Sequence, residues 1–433
     1  MELVILTIAF LVALMCSLHI GLAMLLATSV LIMLTGIVPF DLAVQKMLQQ
    51  VSLFTLVAIP AFIFAGELMS ATGLTECLSN FALLLVGRWR TGIGLATVLA
   101  CMFFGGLTGS GLADTVAIAT LMIPIMLRNG FPAPFAAAVV ASGGSLGPII
   151  PPSIPMVIYA SIVPTVSIAA LFLGGIVPGV MIAMSFLMVV AIVGPRLLSS
   201  KSEQVKLTQE RPLVTILRFL PAAVVPVIII YGVVGGVVTV TESAALAVVY
   251  ALAYGVATRR LTWAGFQSAL HHTVLFTGLV GFIIAAAGPF SFFLALYRAP
   301  EAVGNLLLTL SHGNPYAVML ILIVVLFILG CLVEATSLVI ILAPILAGTA
   351  TIAGINQLHM ALVAIVALMI GLFTPPVGTN LFAVVGISKQ SLESVSRSLV
   401  PFIVSSAVVL VILAISPQLV TFLPKLVLQR AIQ

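Results

Sequence analysis

Long apolar runs, separated by short polar stretches, fill the chain from Leu3 to Leu423. Many of these runs have the length of a helix that crosses a hydrocarbon core about 30 Å thick. Strict alternation of apolar and polar residues, the pattern of an outer-membrane barrel, is missing from them. The pattern therefore predicts an all-α polytopic membrane protein.

The sequence also contains an internal repeat. Pro151-Pro152 corresponds to Pro375-Pro376 in the second half. Further pairs recur at offsets of about 220 to 224 residues: Leu53-Phe54-Thr55 with Leu275-Phe276-Thr277, Asp114 with Glu334, Pro124 with Pro344, and Pro178 with Pro401. We therefore expect a first repeat at residues 1–195, a polar connector at 196–218 and a second repeat at 219–433.

The apolar pattern predicts a similar series of elements in each repeat. In the first repeat we expect spans at 3–18, 20–38 and 52–70, an interfacial amphipathic segment at 74–87, a hairpin at 92–127, a broken helix at 133–163 and a last span at 170–195. In the second repeat we expect a hairpin at 316–353, with its tip near Gly330-Cys331, and a broken helix at 359–388.

The two short segments within 92–127 are either two full spans or one re-entrant hairpin. Their length and the glycine-rich stretch Leu107-Thr108-Gly109-Ser110-Gly111 favour a hairpin. The first repeat then crosses the membrane an odd number of times, so the second repeat is inverted. With the N-terminus outside, three quarters of the 16 lysines and arginines lie on the cytoplasmic side. The charges thus support the orientation and the inversion, but they do not distinguish a hairpin from two spans.

The proline pairs break helices in the middle of apolar segments. Proline removes a backbone donor and blocks continuation of a helix. In lipid, an unmade backbone hydrogen bond costs several kcal/mol, so such a break persists only inside the protein or beside a polar cavity. Two corresponding breaks, each beside a predicted hairpin tip, therefore point to the binding site of an inverted-repeat transporter.

Oxygen atoms at these tips and breaks are suited to sodium, a hard cation. Unwound backbone supplies carbonyl oxygens without net charge, and neighbouring hydroxyl groups add further ligands. We therefore predict two sodium sites. The predicted residues are Ser110, Gly147, Ile150 and Ser153 in the first repeat, and Gly330, Gly371, Thr374 and Val377 in the second.

An anionic substrate at the same place would be held by helix N-termini and by hydroxyl or amide donors. No lysine or arginine lies deep in an apolar run. A carboxylate would therefore depend on dipoles, hydroxyl groups and bound cations. The candidate substrate residues are Thr108, Ser145, Thr336, Ser337, Thr379 and Asn380.

Four acidic residues lie within apolar runs, where a lone charge costs at least about 2.5 kcal/mol. They are Glu67, Asp114, Glu242 and Glu334. We expect Asp114 and Glu334 to stabilise the hairpin tips as helix caps, with cation binding and proton relay as alternatives. Glu242 resembles a cap that opens a span, and Glu67 is expected to reach the membrane interface.

Other functions receive less support from the residues. The four cysteines share no metal or disulfide spacing, and no phosphate-binding loop or catalytic triad is present. An intramembrane enzyme would require such groups, so we expect no enzymatic activity and no organic cofactor. An ion channel would require a continuous pore, which two opposed blind-ended hairpins do not provide.

Several motifs resemble one family, the large membrane subunit of TRAP (tripartite ATP-independent periplasmic) transporters. The motifs are Gly109-Ser110-Gly111-Leu112-Ala113-Asp114-Thr115, Ala141-Ser142-Gly143-Gly144, Gly147-Pro148-Ile149-Ile150-Pro151-Pro152-Ser153-Ile154-Pro155, Thr241-Glu242-Ser243-Ala244 and Thr374-Pro375-Pro376-Val377-Gly378. Ser243 departs mildly from the usual Thr-Glu-Ala-Gly pattern. The resemblance extends over essentially the whole chain.

This resemblance implies a sodium-driven importer of organic acids that works by an elevator motion. It implies two partners, a small membrane subunit and a periplasmic substrate-binding protein. It also implies the bacterial inner membrane, where the predicted topology places both termini on the periplasmic side. The alternative is a stand-alone divalent-anion/sodium symporter, which has two hairpins but uses no binding protein.

Overall fold

The computed structural model describes residues 2–198 and 212–428, which form 20 α-helices and one 3-10 helix, η1. The helices before the connector, in the predicted first repeat, are α1 (Glu2–Met15), α2 (Ile20–Thr35), α3 (Phe40–Val51), η1 (Phe54–Val57), α4 (Ala58–Ala71), α5 (Leu74–Val86), α6 (Gly92–Thr108), α7 (Gly111–Arg128), α8 (Ala133–Gly144), α9 (Ile154–Ile162) and α10 (Ile168–Leu197). Residues 199–211 of the predicted connector lie outside the described ranges.

The remaining helices follow the connector. They are α11 (Pro212–Val234), α12 (Val240–Ala257), α13 (Trp263–Leu296), α14 (Ala299–Leu310), α15 (Pro315–Leu332), α16 (Ala335–Ile352), α17 (Gln357–Gly371), α18 (Thr379–Ser388), α19 (Leu392–Ile415) and α20 (Pro417–Val427). Nine described helices are long and apolar enough to cross a membrane. The prediction of an all-helical polytopic membrane protein is confirmed, whereas inversion of the repeat and re-entry of the hairpins stay predictions.

Most predicted elements lie close to their observed bounds, and two features differ. The amphipathic helix α3 was not predicted. The second tip was expected near Gly330-Cys331, but α15 continues to Leu332, so Val333 and Glu334 form the turn. At the start of α12, Thr239 and Glu242 form a reciprocal capping box, which confirms the capping role expected for Glu242.

The helices separate into two groups by their contacts. The outer group comprises α1 to α4 with η1 and α11 to α13, in which α13 packs on α2, α3 and α4. The inner group comprises α6 to α10 and α15 to α20. Helices α5 and α14 lie alongside, packed on α6 and α16 respectively.

The core of the inner group is formed by the first halves of the two broken helices. Residues 135–144 of α8 and 358–371 of α17 are all buried. Such a helix is apolar around its whole circumference and must be surrounded by other helices. The second halves pack on the opposite repeat, because α9 contacts α16 while α18 contacts α7 and α8. This exchange brings both hairpins and both breaks together.

Candidate functional site

The first hairpin tip lies directly against the first break. Gly109, which ends α6, has a φ of +64°, and a Cβ atom built on it would lie 2.5 Å from the carbonyl oxygen of Pro152. Real Cβ atoms do not approach an oxygen so closely, so this contact requires glycine. Ser110, a predicted sodium residue, follows as the N-cap residue of α7.

A second close approach joins the same two segments one turn earlier. A Cβ atom on Gly105 would lie 2.4 Å from Cα of Gly147. A Cβ atom on Gly147 would in turn lie 1.8 Å from Oδ2 of Asp114. Gly147 was predicted as a sodium residue, whereas Gly105 was missed because glycines are frequent throughout the chain.

Asp114 is completely buried beside this contact. Its Oδ1 accepts a hydrogen bond from the Thr108 hydroxyl, and Thr108 Oγ1 accepts one from the Ser110 N–H at 3.2 Å. Oδ2 has no hydrogen-bond partner within residues 2–198 and 212–428. The carboxylate therefore ties together the end of α6 and the start of α7.

Asp114 and Glu334 do not occupy matching positions, contrary to the alignment inferred from the sequence. Asp114 lies one turn inside α7, whereas Glu334 is the N-cap residue of α16. The Glu334 carboxylate accepts the N–H groups of Thr336 at 2.9 Å and Ser337 at 2.8 Å. By position in the helix, the counterpart of Glu334 is Ser110.

The first break is closed by a serine side chain. Ser153 donates to the carbonyl oxygen of Pro148 at 2.5 Å and accepts the Met156 N–H at 3.3 Å, so it caps α9. It is completely buried. Ile150, another predicted sodium residue, packs its side chain on Gly179 of α10. Any contribution of Ile150 to a cation site would therefore come from its backbone.

The second tip and the second break are joined by backbone hydrogen bonds. The carbonyl oxygen of Cys331 accepts the N–H groups of Val377 at 3.3 Å and Gly378 at 3.1 Å. A Cβ atom on Gly371 would lie 2.3 Å from the carbonyl carbon of Gly330. The predicted residues Gly330, Gly371 and Val377 are thus brought to one place.

Thr374 lies within the same loop. Its hydroxyl donates to the Ile370 carbonyl at 2.8 Å, and its N–H donates to the Gly371 carbonyl at 3.0 Å. The hydroxyl oxygen and both carbonyl oxygens retain lone pairs after these bonds. The carbonyl oxygens of Thr374 and Leu372 also flank Gly378, whose φ is +44°. Such a cluster of neutral oxygens is suited to a monovalent cation.

A cavity of about 210 Å³ lies where the two tips and the two breaks meet. We call it the central cavity. The first tip and break contribute residues 109–112 with Pro148, Ile154 and Pro155; the second contribute residues 334–336 with Met369, Leu372 and Thr379; α13 contributes Phe276, Leu279, Val280 and Ile283. Of the predicted substrate residues, Thr336 and Thr379 line it.

The other four predicted substrate residues are not part of its wall. Ser145 is buried and donates to the Ser142 carbonyl at 2.7 Å. Ser337 donates to the Glu334 carboxylate at 3.0 Å, and buried Asn380 donates to the Ala141 carbonyl at 3.3 Å. Thr108 lines a second cavity. Three of these side chains are therefore held in contacts with the surrounding protein.

The second cavity, of about 550 Å³, lies between α4, the first hairpin and α13. We call it the vestibule. It shares Ser110, Leu112, Phe276 and Leu279 with the central cavity. Sequence reasoning singled out Glu67 but did not pair it with His272, whose side chain meets it at 3.4 Å although the two are 205 residues apart. Both cavities lie at the boundary between the inner and outer groups.

Two solved structures share the fold of this chain. The chain is similar to the YdaH transporter of Alcanivorax borkumensis, with a TM-score of 0.61, 13% identity, and 86% of this chain and 87% of that chain covered. It is equally similar to MtrF of Neisseria gonorrhoeae, described as an antimetabolite efflux pump, with a TM-score of 0.61, 16% identity, and coverages of 87% and 83%. The fold is thus one found in membrane transporters.

The sequence comparisons identify the family. Residues 7–419 match the family described as "Tripartite ATP-independent periplasmic transporter, DctM component", and the chain belongs to this family. The sialic acid TRAP transporter large permease of Vibrio cholerae is 33% identical, with 94% of this chain and 95% of the relative covered. The C4-dicarboxylate large permease of Pseudomonas aeruginosa is 34% identical, with 86% of each chain covered.

The resemblance found in the sequence motifs is therefore confirmed. A third relative, the 2,3-diketo-L-gulonate TRAP transporter large permease of Escherichia coli, is 32% identical, with 92% of this chain and 93% of the relative covered. These relatives are named as transporter permeases, which are not enzymes. Membership of the family implies a periplasmic binding protein and a small membrane subunit as partners.

Proposed function

We propose that this chain is the large subunit of a sodium-coupled importer of an organic acid, embedded in the bacterial inner membrane with both termini periplasmic. The observation that carries the proposal is the central cavity, because both tips and both breaks contribute to its wall. Neutral oxygens cluster around Thr374 and Gly371, which are close in sequence to Leu372 of the cavity wall. Thr336 and Thr379 provide hydroxyl groups in the wall itself. A bound cation and a bound anion would thus lie next to each other, and each would increase the affinity of the protein for the other.

The substrate would be an organic acid delivered by a periplasmic binding protein. The sialic acid, C4-dicarboxylate and diketogulonate named for the relatives all carry carboxylate groups. The N-terminus of α16 directs its first N–H groups towards the Glu334 carboxylate, so the substrate would depend more on hydroxyl donors and bound sodium than on that helix end.

The inner group would move against the outer group as an elevator. The two cavities lie at the boundary between these groups, as a moving substrate site requires. The Thr55 and Ser161 hydroxyls form a hydrogen bond of 2.9 Å across this boundary, between η1 and α9. A hydrogen bond of this kind is readily exchanged for water, so it would not prevent sliding.

The test is uptake by the complex reconstituted in lipid vesicles with its small membrane subunit and cognate binding protein. Sialic acid, succinate, 2,3-diketogulonate and further labelled carboxylates are screened with and without an inward sodium gradient. We expect uptake of at least one acid that needs both the gradient and the binding protein. Sodium-independent uptake would overturn the coupling proposal. Uptake by the large subunit alone would favour the stand-alone symporter.

A further inference from the structure

The vestibule contains a pair of ionisable side chains that the proposed cation and substrate sites do not use. His272 Nδ1 lies 3.4 Å from Glu67 Oε2, with side-chain exposures of 59% and 27%. Both residues line the cavity together with Ser70, Thr108 and Ser110, and the rest of its wall is apolar apart from backbone groups. A polar cluster in an apolar cavity of a membrane protein is a functional candidate.

The position of this pair relates it to the route out of the central cavity. Ser110 and Phe276 line both cavities, so the vestibule adjoins the central cavity. Glu67 lies about one turn from the end of α4, and His272 lies in the third turn of α13. Under the predicted topology, both of these helix ends face the cytoplasm. A substrate that leaves inward would therefore pass the pair.

The chemistry of the pair fits a leaving carboxylate. In the protonated form of His272, the ring nitrogen beside Glu67 donates to its carboxylate. The Nδ1–H then points at Glu67, while Nε2 has no hydrogen-bond partner among residues 2–198 and 212–428. An imidazolium donates from both nitrogens. Its Nε2–H can therefore donate to a second carboxylate in the cavity.

We propose that His272, held by Glu67, forms a transient binding site for the carboxylate group of the substrate on its way to the cytoplasm. This inference rests on the proposed function and adds a second site along the same route. No other charged or titratable side chain of the described residues lines the vestibule. His271 precedes His272 on α13 and is not part of the cavity wall, and Asp114 is buried within the hairpin.

The experiment measures how substrate on the cytoplasmic side of the complex affects the rate of uptake. The complete complex is reconstituted in vesicles preloaded with graded concentrations of the acid that the uptake screen selects. Binding protein added outside activates only complexes in the native orientation. The quantity measured is the concentration of the acid inside the vesicles at which the change in the initial uptake rate reaches half of its maximum. The variants are His272→Gln, which cannot carry a positive charge, His272→Arg, which always carries one, and His271→Gln as the matched control.

We expect His272→Gln to raise this internal concentration about fivefold, equivalent to about 1 kcal/mol. His272→Arg and His271→Gln should stay near the unmodified protein, and the external KM should not change. Equal half-maximal concentrations for His272→Gln and His271→Gln would overturn the proposal. A rise in His272→Arg as large as that in His272→Gln would also overturn it. If the unmodified complex takes up no acid at all, the proposed function itself fails, which is a different result.

Discussion

Gly330 and Gly371 approach so closely that neither position has space for a side chain. A Cβ atom on Gly371 would lie 2.3 Å from the Gly330 carbonyl carbon, and one on Gly330 would lie 2.8 Å from the Leu368 carbonyl oxygen. The contact joins α15, before the second tip, to the end of α17, where the break begins. Small residues permit such approaches between helices in membranes.

Gly371→Ala should therefore separate the second tip from its break. Because backbone atoms oppose the new methyl group, we expect a loss of about 1–3 kcal/mol, the usual range for overpacking. The measurement is the thermal unfolding midpoint of the purified complex. Gly386→Ala is the matched control, since Gly386 lies in α18 and a Cβ atom built on it would have no neighbouring atom within 4 Å. Equal midpoints for the two variants would show that the contact contributes nothing.

Thr374→Val should weaken sodium activation before it affects assembly. The substitution keeps the shape of the side chain and removes the hydroxyl oxygen that lies beside the Gly371 and Ile370 carbonyl groups. Loss of one oxygen ligand is expected to raise the sodium concentration for half-maximal uptake about fivefold, or about 1 kcal/mol.

The control for Thr374→Val is Thr97→Val. Thr97 is also buried and donates to the carbonyl four residues earlier, at 2.8 Å, but it lies far along α6 from the tip. Sodium activation should be unchanged in this variant. An unchanged sodium curve in Thr374→Val as well would remove Thr374 from the proposed ligand set.

The parts of this fold that could be predicted are those with a local cause. Proline pairs stop a helix regardless of its partners, so the breaks at Pro151-Pro152 and Pro375-Pro376 could be placed from sequence. Likewise, Thr239 followed three residues later by Glu242 is a local capping signal. The hairpin formed by α6 and α7 begins and ends within one residue of its predicted bounds, 92–127, and its tip lies in the glycine-rich stretch that predicted it.

The parts that could not be predicted depend on contacts between distant segments. Any face of α13 could have lined the cavities, because its apolar residues are distributed around the whole circumference of the helix. The Glu67–His272 contact joins residues 205 positions apart. A nearly constant repeat offset also paired Asp114 with Glu334, although one lies inside a helix and the other before it. A sequence offset does not reveal whether a residue near a tip lies before the helix or one turn inside it.

The role of Glu334 can be separated into capping and charge by two substitutions. Glu334→Ala removes both acceptors for the Thr336 and Ser337 N–H groups and should cost about 0.5–2 kcal/mol, the usual effect of losing an N-cap. Glu334→Gln keeps an acceptor and loses the charge. If capping is the function, Glu334→Gln should retain most stability and normal sodium activation. Loss of sodium activation in a stable Glu334→Gln complex would instead favour a coupling role.

Asp114→Asn should mainly destabilise the first hairpin. The amide can still accept from Thr108, but its NH₂ group would replace the Oδ2 atom that lies against Gly147 and has no partner in the described part of the chain. A buried donor without an acceptor costs about 1–3 kcal/mol. We expect a lower unfolding midpoint with an unchanged sodium curve. A stable variant without sodium coupling would indicate that Asp114 acts directly on the cation.

Gly105→Ala and Gly106→Ala provide a test of the first tip with neighbouring residues of the same helix. A Cβ atom on Gly105 would lie 2.4 Å from Gly147 Cα, whereas the nearest atom to one on Gly106 would be the Pro151 carbonyl oxygen at 3.5 Å. Overpacking at Gly105 should cost about 1–3 kcal/mol. Alanine at Gly106 should be neutral or stabilise α6 by about 0.5–1 kcal/mol, because glycine is a poor helix former. The unfolding midpoints of the two purified complexes should therefore move apart. Similar midpoints would mean that tip and break are not packed as tightly as this contact requires, and the first cation site would then lose its structural basis.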